Sequence, residues 1–168
     1  APADILARHA WRDGSRLDLH ADIERSAEAI AAFAGPAEAD GYRRFCTQSR
    51  AIYQTLQAPF IDAQKPSPAG LAWRIGLGNL GALWVTRPWQ TLWSALGRCF
   101  QDPRLRQLFG RYATYCGSSP LAAPATLMLV AHVEQSGVWQ VRGGMHQVAL
   151  VLAAVAAKHG ATLRYDTH

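Results

Sequence analysis

A chain of 168 residues, 49% apolar and 17% charged, is long enough for one domain with a substantial core and too apolar to stay disordered. The net charge of +5 permits an anionic partner, but the basic residues run from Arg8 to Arg164 with no Lys/Arg block, zinc-finger spacing or RNA-binding aromatic signature. Nucleic acid is therefore excluded as the expected partner, and weak attraction to an anionic membrane surface fits the charge better.

From the N-terminus, residues 5–11 and 16–20 flank Asp13-Gly14, a pair that suits a hairpin because both positions tolerate positive φ. Asp22 should cap a helix carrying Ile23, Ala27, Ile30 and Phe33, which Gly35-Pro36 ends. Tyr42, Phe45, Cys46, Ser49, Ile52, Tyr53 and Leu56 then fall at helical spacing, with Arg43, Arg44, Gln48 and Arg50 on the outer face. Residues 64–70 read as a loop, and 71–85 as a region apolar on most sides and rich in Gly and Trp. Pro88 can start a helix through Trp89, Leu92, Trp93 and Leu96.

Asp102-Pro103 starts another, with Leu105, Leu108, Phe109, Tyr112 and Cys116 inward and Gly117 as its stop. Residues 123–135 should form a deeply buried apolar helix. A strand at 137–141, a tight turn at Arg142-Gly143-Gly144, a helix with Val148, Leu152 and Val155 inward, and a strand at 161–165 complete the pattern. A strand needs neighbours, so the first and last ones are expected to belong to a longer chain. The fold class expected is α+β: a hairpin at 1–21, a helical domain at 22–136, and a strand-helix-strand unit at 137–168.

Three cysteines, Cys46, Cys99 and Cys116, are odd in number and lack C-x-x-C spacing, so they are expected as buried thiols in a reducing compartment. No run of ~18 apolar residues occurs, and nothing is expected to span a bilayer.

Several motifs invite chemistry and do not support it. Gly76-Leu77-Gly78-Asn79-Leu80-Gly81 spells the dinucleotide fingerprint, but residues 71–75 make a poor preceding strand and Pro88 interrupts the required helix. Ser118-Ser119-Pro120 after Gly117 is not a nucleophile elbow. His132, His146 and His159 lack metal-ligand spacing, so no metal is expected, and the acidic residues gather in the first third on helix exteriors. The glycine pair at 143–144 is more informative. Two glycines between a strand and a helix let a flat ligand lie against backbone beside a helix N-terminus. An ordinary tight connection is the alternative reading of the same residues.

The segment GVWQVRGGMHQVALVLAAVAAKHGATLRYDT, residues 137–167, resembles the Gly-Val-Trp-x-x-Arg-Gly-Gly stretch of bacterial carotenoid desaturases of the phytoene desaturase type, flavoproteins sharing the amine oxidase fold. DGSRLDLHAD at 13–22, AEADGYRRFCTQSRAIY at 37–53 and FQDPRLRQLFGRYATYCGSSPLAAPATLMLV at 100–130 resemble further stretches of that family, in order. Within the family, the likeness is greatest to the desaturases of hydroxy- or methoxyneurosporene. The resemblance implies a central portion of such an enzyme, because the family's own dinucleotide fingerprint and its closing flavin-contacting segment have no counterpart here. It implies hydride transfer from an acyclic C40 carotenoid to FAD, with FAD held by the intact enzyme and not retained by this portion alone. It also implies a bacterial cytoplasmic location, peripheral to the inner photosynthetic membrane.

Carried over by the resemblance, Arg142, Gly143 and Gly144 would face the flavin. Met145 and Gln147 would line the substrate cavity, and His146 would shuttle a proton. Trp139, Tyr112, Tyr115, Met128 and His132 are candidates for the tunnel wall. Trp73, Trp84, Trp89 and Trp93 are candidates for docking on the bilayer. Two other readings stay open: a non-catalytic module for apolar ligands or lipid surfaces, and a sister flavoenzyme acting on amines or porphyrinogens. The sequence leaves the oligomeric state unspecified.

Overall fold

The computed structural model describes residues 2–63, 80–165 and 167. Strands β1 (Ile5–Ala10) and β2 (Arg16–His20) form an antiparallel hairpin in which His9 faces Leu17 and Ala7 faces Leu19. The turn closes as expected at Asp13-Gly14, where Gly14 takes φ +83° and its N–H bonds the Trp11 carbonyl at 3.0 Å. Alternation puts Leu17 and Leu19 in the core and turns Arg16 and Asp18 outward.

Helix α1 (Ile23–Ala34) begins where the Asp22 carboxylate accepts the Arg25 N–H at 2.8 Å. The Ser26 hydroxyl is fully buried and bridges the His20 N–H and carbonyl, at 2.8 and 3.1 Å, so the helix start is pinned to the end of β2. Gly35 alone, at φ +101°, separates α1 from α2 (Pro36–Leu56). Proline at the first position of α2 loses no bond there, because that N–H has no partner in any helix. Of the stripe expected from spacing, Tyr42, Phe45, Cys46, Ser49, Ile52 and Leu56 are buried, and Tyr53 is only half-buried. A π-helical turn, Gln57–Ile61, ends this segment.

Beyond residues 64–79, helix α3 (Leu80–Thr86) leads into a turn and then α4 (Leu92–Cys99). Helix α4 starts later than the proline suggested. Pro88 and Trp89 lie in a turn, and Thr91 is the cap whose hydroxyl accepts the Ser94 N–H at 3.3 Å. Helix α5 (Pro103–Gly110) has the Asp102 cap expected, then narrows to a 3-10 turn at Arg111–Cys116, stopped by Gly117 at φ +60°. Buried Glu38 of α2 accepts the backbone N–H groups of Gln101 and Asp102, at 2.9 and 3.2 Å, tying the α4–α5 joint to α2.

Residues 123–135 are not one deeply buried helix. A 3-10 turn, Ala125–Met128, precedes a short α6 (Leu129–Gln135), and only Ala123, Ala125, Met128 and Ala131 of that stretch are buried. An apolar run hides its identity as core or surface, because periodicity fails to mark a face when every position is apolar.

The core centres on Phe45, Phe100, Phe109 and Tyr112, with ring centroids of Phe45–Phe109 at 4.7 Å and Phe100–Phe109 at 4.9 Å. Trp11 fastens the hairpin to it, with its indole N–H on Gln107 at 3.0 Å and its ring 5.0 Å from Phe33.

The last segment differs most from expectation. Among the described residues, 137–141 form only an isolated bridge, Trp139 to Pro2, supported by the Ala3 N–H on the Val138 carbonyl at 2.8 Å. Residues 161–165 form no strand. Between them lies α7 (His146–Lys158), a sound helix with no buried residue. Val148, Leu152 and Val155, expected inward, are exposed. Cys46 and Cys99 are buried as expected, but Cys116, at the end of its 3-10 turn, is exposed.

Candidate substrate site

The residues singled out from the sequence fall into separate groups. Arg142, Gly143, Gly144, Met145, His146 and Gln147 follow one another on the exposed turn into α7. Gly143 and Gly144 take φ +82° and +87°, a conformation that side chains resist, so glycine is required at both. A Cβ at Gly144 would meet nothing within 4 Å, and one at Gly143 would touch Gln147 Cγ at 3.0 Å. The turn therefore offers a bare, open strip of backbone at the start of a helix.

Trp139 lies just before that turn in the chain, bridged to Pro2. It is exposed, and its ring lies over Gly137, where a Cβ would come within 2.3 Å of the indole. Met145 is 71% exposed, and α7 continues the apolar surface through Leu150, Val151, Leu152 and Val155.

Tyr112 and Tyr115 are drawn together by a carboxylate that sequence reading missed. Glu134 accepts the Tyr112 hydroxyl at 2.9 Å and the Tyr115 hydroxyl at 3.3 Å. Arg111 binds the same carboxylate through both terminal nitrogens, at 3.0 and 2.9 Å. Tyr112 is 2% exposed and belongs to the aromatic core, so its position is explained by packing. Burial, then the Glu134 charge, holds its phenol protonated well above the usual tyrosine range. The missed signal was Arg111-Tyr112 and Tyr115, three donors facing one acid from a run otherwise read as apolar.

His132 lies half-buried against Tyr53, ring centroids 4.9 Å apart, and burial followed by the Arg50 charge lowers its pKa. Met128 is buried and lines a cavity of about 150 Å³ with Gln48, Ala51, Ile52, Val85, Arg87 and Ala125. Trp84 and Trp89 meet edge to face at 5.4 Å and are 69% and 60% exposed. Trp93 is not with them: it is half-buried beneath the Arg106 guanidinium, 4.3 Å from its ring centre. Trp73, and most of the glycine motif at 76–81, lie outside the described residues.

Among the described residues no three His, Cys, Asp or Glu side chains gather as a metal site, and no helix is long and apolar enough to cross a membrane.

No family model matches the chain. Individual relatives do. It is 52% identical over 165 residues to the hydroxyneurosporene desaturase of Rubrivivax gelatinosus, covering 98% of this chain and 31% of that protein. The chain is homologous to the carotenoid desaturases. The hydroxyneurosporene desaturase of Cereibacter sphaeroides shares 45% identity over 98% of this chain and 33% of its own length. The phytoene dehydrogenase of Streptomyces griseus shares 36% over 94% of this chain and 31% of its own length. This desaturase homologue thus spans about a third of the length of the curated relatives it matches. That alignment runs through the glycine turn and α7 as well as the helical core.

Proposed function

We propose that this chain supplies the substrate-side portion of an FAD-dependent desaturase that dehydrogenates an acyclic C40 carotenoid of the hydroxy- or methoxyneurosporene kind. The observation that carries the reading is the bare Gly143-Gly144 turn leading into α7, whose apolar side chains face outward instead of into the chain's own core. In an ordinary surface helix those valines and leucines would be buried, and here they are left to hold something else.

The residues at this turn fit one wall of a flavin site. The open space over Gly144 admits a flat ring against backbone, and Arg142 beside it adds positive charge. Flavin, when bound, supplies the hydride acceptor. The chain's own residues do the rest. Met145 and the apolar side chains of α7 hold the polyene by area and keep water away. Burying roughly 400 Å² of polyene at ~25 cal/mol per Å² gives ~10 kcal/mol of gross binding, without one hydrogen bond. His146, on the first turn of α7, would take the proton lost from the carbon next to the oxidised one. The polyene delocalises the developing cation, so a strong base is not required.

The exposed Trp84–Trp89 pair would dock at the headgroup level of the bilayer that stores the substrate, with the net positive charge drawing the protein to an anionic leaflet. This reading has the enzyme work at the cytoplasmic face of a bacterial photosynthetic membrane, peripheral to it.

The test is incubation of the full-length protein with FAD and a hydroxyneurosporene. A red-shifted polyene spectrum with reduced flavin is expected. Bound flavin with an unchanged polyene spectrum would leave a non-catalytic binding module in its place.

A further inference from the structure

The strip between α6 and the glycine turn is held by a bond from the opposite end of the sequence. The Ala3 N–H donates to the Val138 carbonyl at 2.8 Å, and Pro2 bridges Trp139 in antiparallel register. Residues 138 and 139 thereby run beside the segment that leads into β1, as a short strand would. Just upstream, the strip is tied to α6. The Gly137 N–H donates to the Glu134 carbonyl at 3.2 Å, and the Ser136 hydroxyl to the His132 carbonyl at 2.8 Å.

Segment 2–4 is itself anchored. The Asp4 carbonyl accepts the Ala21 N–H at 2.9 Å, and the Asp4 carboxylate pairs with Arg25 of α1 at 2.6 Å. The two charged side chains are 51% and 66% exposed, so water screens that pair and the backbone bond carries more of the hold. Ala21 lies between β2 and α1, the junction that buried Ser26 pins. The path from Ala3 to the glycine turn is stiff as well. Gly137 sits at φ +131° with the Trp139 indole laid on it so closely that no Cβ fits. The Gly144 N–H closes the turn on the Val141 carbonyl at 3.0 Å. Beyond the turn, α7 buries no described residue, so within this chain the turn takes its position from the strip before it.

We infer that Ala3, with Asp4 behind it, is a positioning residue for the reaction: its pairing with Val138 sets where Arg142, Gly143 and Gly144 stand relative to the helical core. This rests on the desaturase reading above. Hydride transfer tolerates little error in geometry, and a misplacement of about 1 Å far from the reacting atoms can cost ~100-fold in rate. The part played by Ala3 is mechanical, through the stiffness of the strip that carries the turn.

The experiment uses the full-length protein with FAD and a hydroxyneurosporene. It compares Ala3→Pro, which lacks the N–H, with Ala3→Ser, which keeps it. Amide hydrogen exchange, read by mass spectrometry, should be about fivefold faster across residues 138–147 in Ala3→Pro, the worth of one backbone hydrogen bond, and unchanged in α2 and α5. Turnover by the same variant should fall about tenfold in kcat with KM within about twofold of wild type, and Ala3→Ser should match wild type in both measurements. Unchanged exchange at 138–147, or a wild-type kcat despite faster exchange there, would overturn the inference. Faster exchange throughout the chain, or an equal loss in Ala3→Ser, would also overturn it, by marking the pairing as structural only. A wild type that binds FAD and gives no polyene red shift sinks the desaturase reading instead, and hydrogen exchange still decides whether Ala3 holds the turn.

Discussion

Arg111 and Glu134 form a two-pronged ion pair across the 3-10 turn and α6, and the Tyr112 hydroxyl shares the same carboxylate. Their side chains are 29% and 18% exposed, so water screens the pair only in part. Removing the acid strands a guanidinium and a core phenol together, and stranded polar groups cost more than the intact pair contributes. Glu134→Ala in the full-length protein is expected to lose about 2–3 kcal/mol, and Glu134→Gln less, because the amide oxygen still accepts Tyr112. Thermal unfolding of both variants beside the wild type checks this ordering.

Gly41 lies where α2 passes α4, and a Cβ there would stand 2.0 Å from the Cys99 carbonyl oxygen. Alanine would gain about 1 kcal/mol of helix propensity, but that contact is far inside van der Waals distance and its target is backbone. The clash decides the sign. Gly41→Ala is expected to destabilise by about 2–3 kcal/mol, read from denaturant midpoints. A stabilised variant would mean that α2 and α4 slide apart easily.

The thiols should divide by exposure. Burial pushes the Cys46 thiol up to about 11, against the weaker pull of its bond from Gln135. Cys99 is raised by burial too. At pH 8 only exposed Cys116 should react promptly with a maleimide in the native protein, counted by mass spectrometry.

The same burial fixes a sign at high pH. The folded Cys46 thiol keeps its proton above 9, where the unfolded one releases it, so unfolding takes up hydroxide and stability falls as pH rises from about 9 to about 11. Buried Tyr42, also raised, steepens the loss beyond. The fall should be on the order of 2 kcal/mol from Cys46, and Cys46→Ala should flatten its lower part.

His132 behaves oppositely. Burial first, and Arg50 second, lower its pKa from 6.5, so below that pH the unfolded chain binds the proton more readily than the folded one. The stability it preserves is present above 6.5 and fades as pH drops further. Urea unfolding between pH 7 and 5 should show a shallower loss in His132→Gln.

Much of this fold was legible in the residues, for identifiable reasons. The α2 stripe was readable because Arg43, Arg44 and Arg50 contrast with Tyr42, Phe45 and Ile52 at a clear period. Asp22 and Asp102 announced helix starts, because a carboxylate there meets unpaired N–H groups. In α7 that contrast is missing. Val148, Leu150, Val151, Leu152 and Val155 surround the axis, and an inward face cannot be picked from a helix apolar on all sides. Glu134 escaped notice because its three donors lie some twenty positions upstream, a separation that no local pattern encodes. The cavity at Gln48 and Arg87 was equally hidden, since its walls come from three distant stretches.

The single-residue joint at Gly35 reaches beyond geometry into the order of assembly. Closing so short a connection costs almost no chain entropy, so α1 and α2 can meet before any distant segment arrives. Together they already bring Ile30, Tyr42 and Phe45 to one place. The hinge is therefore a natural seed, on which the later aromatic partners from α4 and α5 condense.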